Sequence, residues 1–180
     1  MDKSGPVESL MGWLCRRVYG RILDPLKVGF HHRRVLISTL GIEYAASRWK
    51  KLPEHFRALA VMASAQEIGC SWCVDFGYWE SYHQGVDPEK LRQVPKWRTS
   101  EVYTPLERAV IGYAVAATQT PPTVSDEMVA DLRQELDDAQ IVELTAWVAL
   151  ENFRSRTNAS MGLVGQGFKA ECEIPERRAS

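Results

Sequence analysis

The sequence predicts an all-α fold, and three observations predict it. No stretch alternates apolar and polar residues with the period of two that a half-buried strand needs. The β-branched residues are dispersed among Ala, Leu, Glu, Arg and Gln, which are strong helix formers. Helix-start signals recur along the chain, each followed by apolar residues at helical spacing.

The first helix is expected over about Val7 to Val18, with Leu10, Trp13, Leu14 and Val18 on one face and Arg16 and Arg17 elsewhere. A basic amphipathic helix can lie on a membrane, but packing on the chain's own core or on a sister subunit is the favoured expectation. A second helix is expected over about Arg33 to Trp49. A third runs from about Pro53 to Gly69, its Ala, Leu and Met content placing it deep. Gly69 ends that helix, and Cys70 opens another that can run through Tyr82 to Gly85. Asp87 caps a short helix that starts with Pro88. Thr104-Pro105-Leu106-Glu107 is a capping box, because the Thr hydroxyl and the Glu carboxylate can each satisfy a free backbone N–H. That helix should reach about Thr118, before Pro121-Pro122 breaks the chain. Ser125 caps a helix to about Leu136, and Asp137 to Gln140 starts a last long one reaching nearly to Leu163.

At 180 residues the chain is long enough for one well-packed core. The expected organisation is an N-terminal amphipathic helix and connector over 1–30, a helical domain over 31–170 and a tail over 171–180. Asp2 to Gly5 and Glu176 to Ser180 read as frayed ends. With 22 basic and 23 acidic residues, net charge −1, no global field recruits nucleic acid. No apolar run has the length of a membrane span. Asp2 and Glu8 precede any hydrophobic stretch, which fits neither a secretory signal nor a transit peptide, so a cytoplasmic protein is expected. The four cysteines, at 15, 70, 73 and 172, are too few and too unevenly spaced for a disulfide framework.

The chemistry concentrates in Gly69-Cys70-Ser71-Trp72-Cys73. Two thiols three residues apart on a helix lie on one face, one turn apart, within reach of a disulfide. Cys70 at a helix N-terminus would sit among free N–H groups that favour a thiolate. Zinc would need a second ligand pair, and Cys15, Cys172 and the adjacent His31-His32 do not form one, so no metal and no cofactor are expected. Two buried cysteines acting as small apolar groups is the bland alternative. A thioredoxin would place the pair between strand and helix, whereas here a long helix precedes it.

Arg57-Ala58-Leu59-Ala60-Val61, Glu67-Ile68-Gly69-Cys70-Ser71-Trp72-Cys73 and Gly85-Val86-Asp87 resemble the core of the alkylhydroperoxidase AhpD and carboxymuconolactone decarboxylase family. Thr104 to Ala109 and Glu151 to Asn158 support the match, and the resemblance covers roughly Val35 to Phe168. It implies an AhpD-like multi-helical bundle that assembles as a trimer or hexamer. It implies peroxide or disulfide reduction, with Cys73 attacking and Cys70 resolving. The family's fuller pattern has a relay glutamate and histidine at positions that are Ala58 and Gly77 here. Glu67, Trp72 and Asp75 are therefore the candidates for a substitute relay or a pocket wall. His83, about 15 Å along the helix from Cys73, reads as a surface histidine. The aromatics Trp72, Phe76, Tyr78, Trp79 and Tyr82 can line an apolar pocket or pack the core. Glu151, Arg154 and Asn158 share one helical face, where structural pairing is expected.

Three functions stay open: a thiol peroxidase or disulfide reductase, a lactone decarboxylase of the family's other branch, and a non-catalytic oligomeric module or redox sensor. The expected partners are a small peroxide or disulfide, a thiol reductant or reductase and further copies of the chain, with neither nucleic acid nor membrane.

Overall fold

The computed structural model describes residues 6–173. The expected frayed ends, and the tail beyond Glu173, lie outside the described residues. Among the described residues there is no strand, as the all-α expectation requires. No helix is long and apolar enough to cross a membrane. The chain divides into two compact units, Met1–Arg48 and Trp49–Ser180.

In the first unit, α1 spans Pro6–Tyr19, α2 Asp24–Gly29 and α3 Arg33–Ala46, with a 3-10 turn at Phe30–His32 between the last two. Sequence patterning missed α2, a six-residue helix too short to show a period. The His32 ring nitrogen accepts from the Val35 N–H and caps α3. Cys15 is buried, and its sulfur accepts from the Leu23 N–H at 3.4 Å. On the apolar face of α1, Leu10, Trp13, Leu14 and Val18 are all exposed. Helical spacing shows that an apolar face exists but not what covers it. Val35, Ile37, Leu40, Ile42 and Tyr44 of α3 are exposed as well.

The second unit is built around α4, Glu54–Ile68. Ala58, Ala60, Ala63, Ser64 and Ala65 are buried along it, and these small side chains let three neighbours approach. Those neighbours are α5 (Ser71–His83), α7 (Pro105–Thr118) and α9 (Asp138–Ser160). Between them lie α6 (Pro88–Gln93) with a following 3-10 turn, and α8 (Asp126–Leu132), which packs on α7. The expected Thr104–Glu107 box forms, and Asp137, expected as a cap, forms a second box with Gln140, each exchanging two side-chain to backbone bonds. Buried Glu107 also takes the Lys90 ammonium at 2.6 and 2.8 Å. Burial pushes this carboxyl up, but Lys90 and the Thr104 N–H outweigh it and hold Glu107 below the usual carboxylate range. The last element among the described residues is α10, Phe168–Glu173, which lies on α5 and was not foreseen.

Candidate dithiol site

The turn from α4 into α5 takes two residues, Gly69 and Cys70. Gly69 has φ +78°, and its N–H and that of Cys70 both return to the Ala65 carbonyl. This left-handed cap favours glycine, because a Cβ there would be strained. Cys70 follows at once as the N-cap of α5. Its sulfur accepts from the Cys73 N–H at 3.2 Å, the part usually played by a Ser or Asp oxygen. Cys70 and Cys73 are joined by a disulfide across a Cα–Cα distance of 5.3 Å, within the ordinary range for the bond. Cys70 is 0% exposed and Cys73 7%, so the small accessible area of the pair belongs to Cys73.

A sulfur at a helix start is stabilised as an anion by converging N–H groups, which makes Cys70 a good leaving group when the disulfide is attacked. Cys73 is the less enclosed of two buried residues. The other cysteines stand apart from this chemistry. Burial, then Glu173 and Asp75, push the Cys172 thiol up, away from thiolate character. Among the described residues no three His, Cys, Asp or Glu side chains could hold a metal ion.

The other expected site residues are placed differently from one another. Glu67 is exposed at the end of α4, where it borders a cavity of about 450 Å³ with Ile68, Thr118, Thr120, Pro121 and Arg156. Neither cysteine lines that cavity. Trp72 is buried, donating its indole N–H to the Gln166 side chain at 2.8 Å and stacking on Phe76 at 5.0 Å. Phe76 and Trp79 both meet the ring of Phe168 edge-on. The aromatic face of α5 is thus packing for α10. Asp75 has an anchoring geometry. Its Oδ2 accepts from the Gln166, Gly167 and Phe168 N–H groups at 2.7, 2.8 and 3.1 Å, and its Oδ1 from Lys169 at 2.8 Å. Both oxygens are occupied holding the start of α10. His83 is exposed, with Nδ1 on the Trp79 carbonyl.

A residue that sequence patterning put among structural pairs reaches the sulfurs. Asn158 of α9 donates its side-chain N–H to Cys73 Sγ at 3.4 Å. Its companions pair as expected: Glu151 accepts from the Ser155 hydroxyl at 2.6 Å and from Arg154 at 3.4 Å. Its place in the Glu151 to Asn158 segment was the available signal, but the 85-residue separation from Cys73 hid the contact.

Residues 39–116, which hold α4, α5 and both cysteines, match the model of the carboxymuconolactone decarboxylase family. YnjA, an uncharacterized protein of Escherichia coli K12, is 32% identical over 168 residues, covering 93% of this chain and 91% of its own. The fold superposes on an alkylhydroperoxidase AhpD core from Ralstonia eutropha JMP134, an uncharacterized peroxidase-related protein. The TM-score is 0.82 and the identity 15%, over 96% of this chain and 92% of that one. It superposes also on the debrominase Bmp8 with a TM-score of 0.78 and 20% identity, over 93% and 91%. At these identities the two structures establish the shared fold alone. The family match over the CxxC core, together with a relative similar over nearly the whole length, shows that this chain belongs to the carboxymuconolactone decarboxylase family.

Proposed function

We propose that the chain is a thiol oxidoreductase that cycles Cys70 and Cys73 between dithiol and disulfide, and that a small hydroperoxide is its oxidant. The single observation that carries this is the pair itself: two bonded sulfurs at a helix start, with Cys70 fully buried and accepting a backbone N–H and Cys73 7% exposed. The Cys73 thiolate attacks the terminal peroxide oxygen, forming an S–O bond as the O–O bond breaks. The leaving alkoxide takes a proton from solvent. The Cys70 thiolate then attacks the Cys73 sulfur, forming the disulfide and expelling hydroxide, which is protonated to water. A reducing dithiol returns the two electrons by attack on Cys73, with Cys70 leaving as the anion that the start of α5 stabilises. A reducing compartment such as the cytoplasm supplies that reductant.

The likeness to an AhpD core supports the peroxide reading, and decarboxylation has no use for a thiol pair. Self-association belongs to the same proposal, supported by the exposed apolar side chains of α1 and α3. The experiment is organic hydroperoxide consumption by the reduced protein and by Cys70→Ser and Cys73→Ser. The wild type should consume one peroxide per disulfide formed, Cys73→Ser should consume none, and Cys70→Ser should stop at a one-oxygen adduct on Cys73. Consumption that survives loss of both cysteines would overturn the proposal.

A further inference from the structure

The positions at which the family resemblance places proton-handling side chains are apolar here. Ala58 is buried, and a Cβ at position 77 would meet Met62 Sδ at 3.0 Å. Neither position can serve the Cys73 sulfur. What does reach it comes from α9, where Asn158 is 8% exposed and points its carboxamide N–H at Cys73 Sγ. Ser155 and Glu151 lie one and two turns back on the same face, both buried and bonded to each other. The sequence thus builds a buried polar line on α9 whose last member ends on a reacting sulfur.

We propose that Asn158 is a catalytic residue of this couple, donating a hydrogen bond that holds Cys73 as a thiolate whenever the disulfide is open. A disulfide sulfur is a weak acceptor, whereas a thiolate carries a full charge, so the same N–H stabilises the reduced state more than the oxidised one. Asn158 gives a hydrogen bond and no proton: the Cys73 proton goes to solvent. The neutral amide suits this task. A carboxylate at 158 would repel the thiolate, and an alkyl group would leave it desolvated and unpaired. This inference rests on the dithiol reading above and assigns it a group on a third helix.

The test compares wild type, Asn158→Ala, Asn158→Ser and Asn158→Asp in equilibrium with dithiothreitol at alkaline pH, where Cys73 is ionised. The thiolate's ultraviolet absorbance is read at neutral pH in a Cys70→Ser background, which isolates Cys73. Helical circular dichroism checks that each variant folds. Removing a hydrogen bond to a charged group should move the dithiol to disulfide equilibrium about tenfold toward disulfide, or about 30 mV more negative. The Cys73 thiolate fraction should fall by a similar factor, with Asn158→Asp moving further than Asn158→Ala. A purely structural asparagine would lower stability without moving either quantity. If folded Ala or Ser variants keep wild-type equilibrium and absorbance while the wild-type pair cycles normally, the assignment to Asn158 is overturned and the dithiol reading stands. A wild-type pair that cannot be reduced and reoxidised overturns both.

Discussion

Asp75→Asn tests how α10 is held against the dithiol helix. In the native protein one carboxylate oxygen receives three backbone N–H groups and the other receives a fourth. An asparagine can place its oxygen where Oδ2 stood, so three donors exchange a charged acceptor for a neutral one. The fourth, the Lys169 N–H, then faces another N–H. Each such loss is worth about 1 kcal/mol, and water replaces part of it because Asp75 is only half-buried, leaving about 2–3 kcal/mol. The loss should stay local to α10, since α10 packs on α5 alone among the major contacts. Hydrogen exchange read by mass spectrometry is the assay. Amides 166–169 should exchange roughly 30- to 150-fold faster, from the tenfold per 1.4 kcal/mol relation, while α7 amides stay unchanged. Unchanged protection at 166–169 would refute the carboxylate's anchoring role.

Lys90→Met should cost about 3–5 kcal/mol at neutral pH, because it leaves the buried Glu107 carboxylate without its cation. Glu107 is held below its ordinary value, so its contribution is present above the unfolded value of about 4.3 and is lost as pH falls through the folded one. Urea midpoints should therefore show the Lys90→Met deficit shrinking in acid, and a constant deficit would contradict the ion pair. Ile37→Glu on α3, at a side chain that is 65% exposed, should lower the sedimentation coefficient if that face joins copies of the chain. A wild type that already sediments as a monomer would remove the self-association proposal.

What could be read in the sequence follows the range of the physics involved. The Thr104–Glu107 capping box, the cap at Asp137, the Gly69 stop and the Cys70 start are decided by residues within four positions of each other, and all appear where the pattern put them. The helices α2 and α10 are six residues each, too short for an apolar period to show. The clamp on α10 joins Asp75 to amides more than ninety positions away, so neither end carries a local sign of it. Asp75 therefore looked available for proton transfer when both its oxygens are engaged by the backbone. Asn158 shows the converse, an ordinary polar residue on a helix face that gains its meaning only when α9 and α5 are brought side by side. The dithiol motif was legible because its two sulfurs are neighbours in sequence as well as in space.

Whether Cys70 and Cys73 form a reversible couple is decided by counting thiols in the wild-type protein across a series of thiol–disulfide buffers. Peptide mass mapping assigns each one. A reversible couple gives a single two-electron transition confined to Cys70 and Cys73, with Cys15 and Cys172 alkylated throughout. A pair that stays reduced and unreactive at every oxidising buffer, or oxidation spread over all four cysteines, would contradict it.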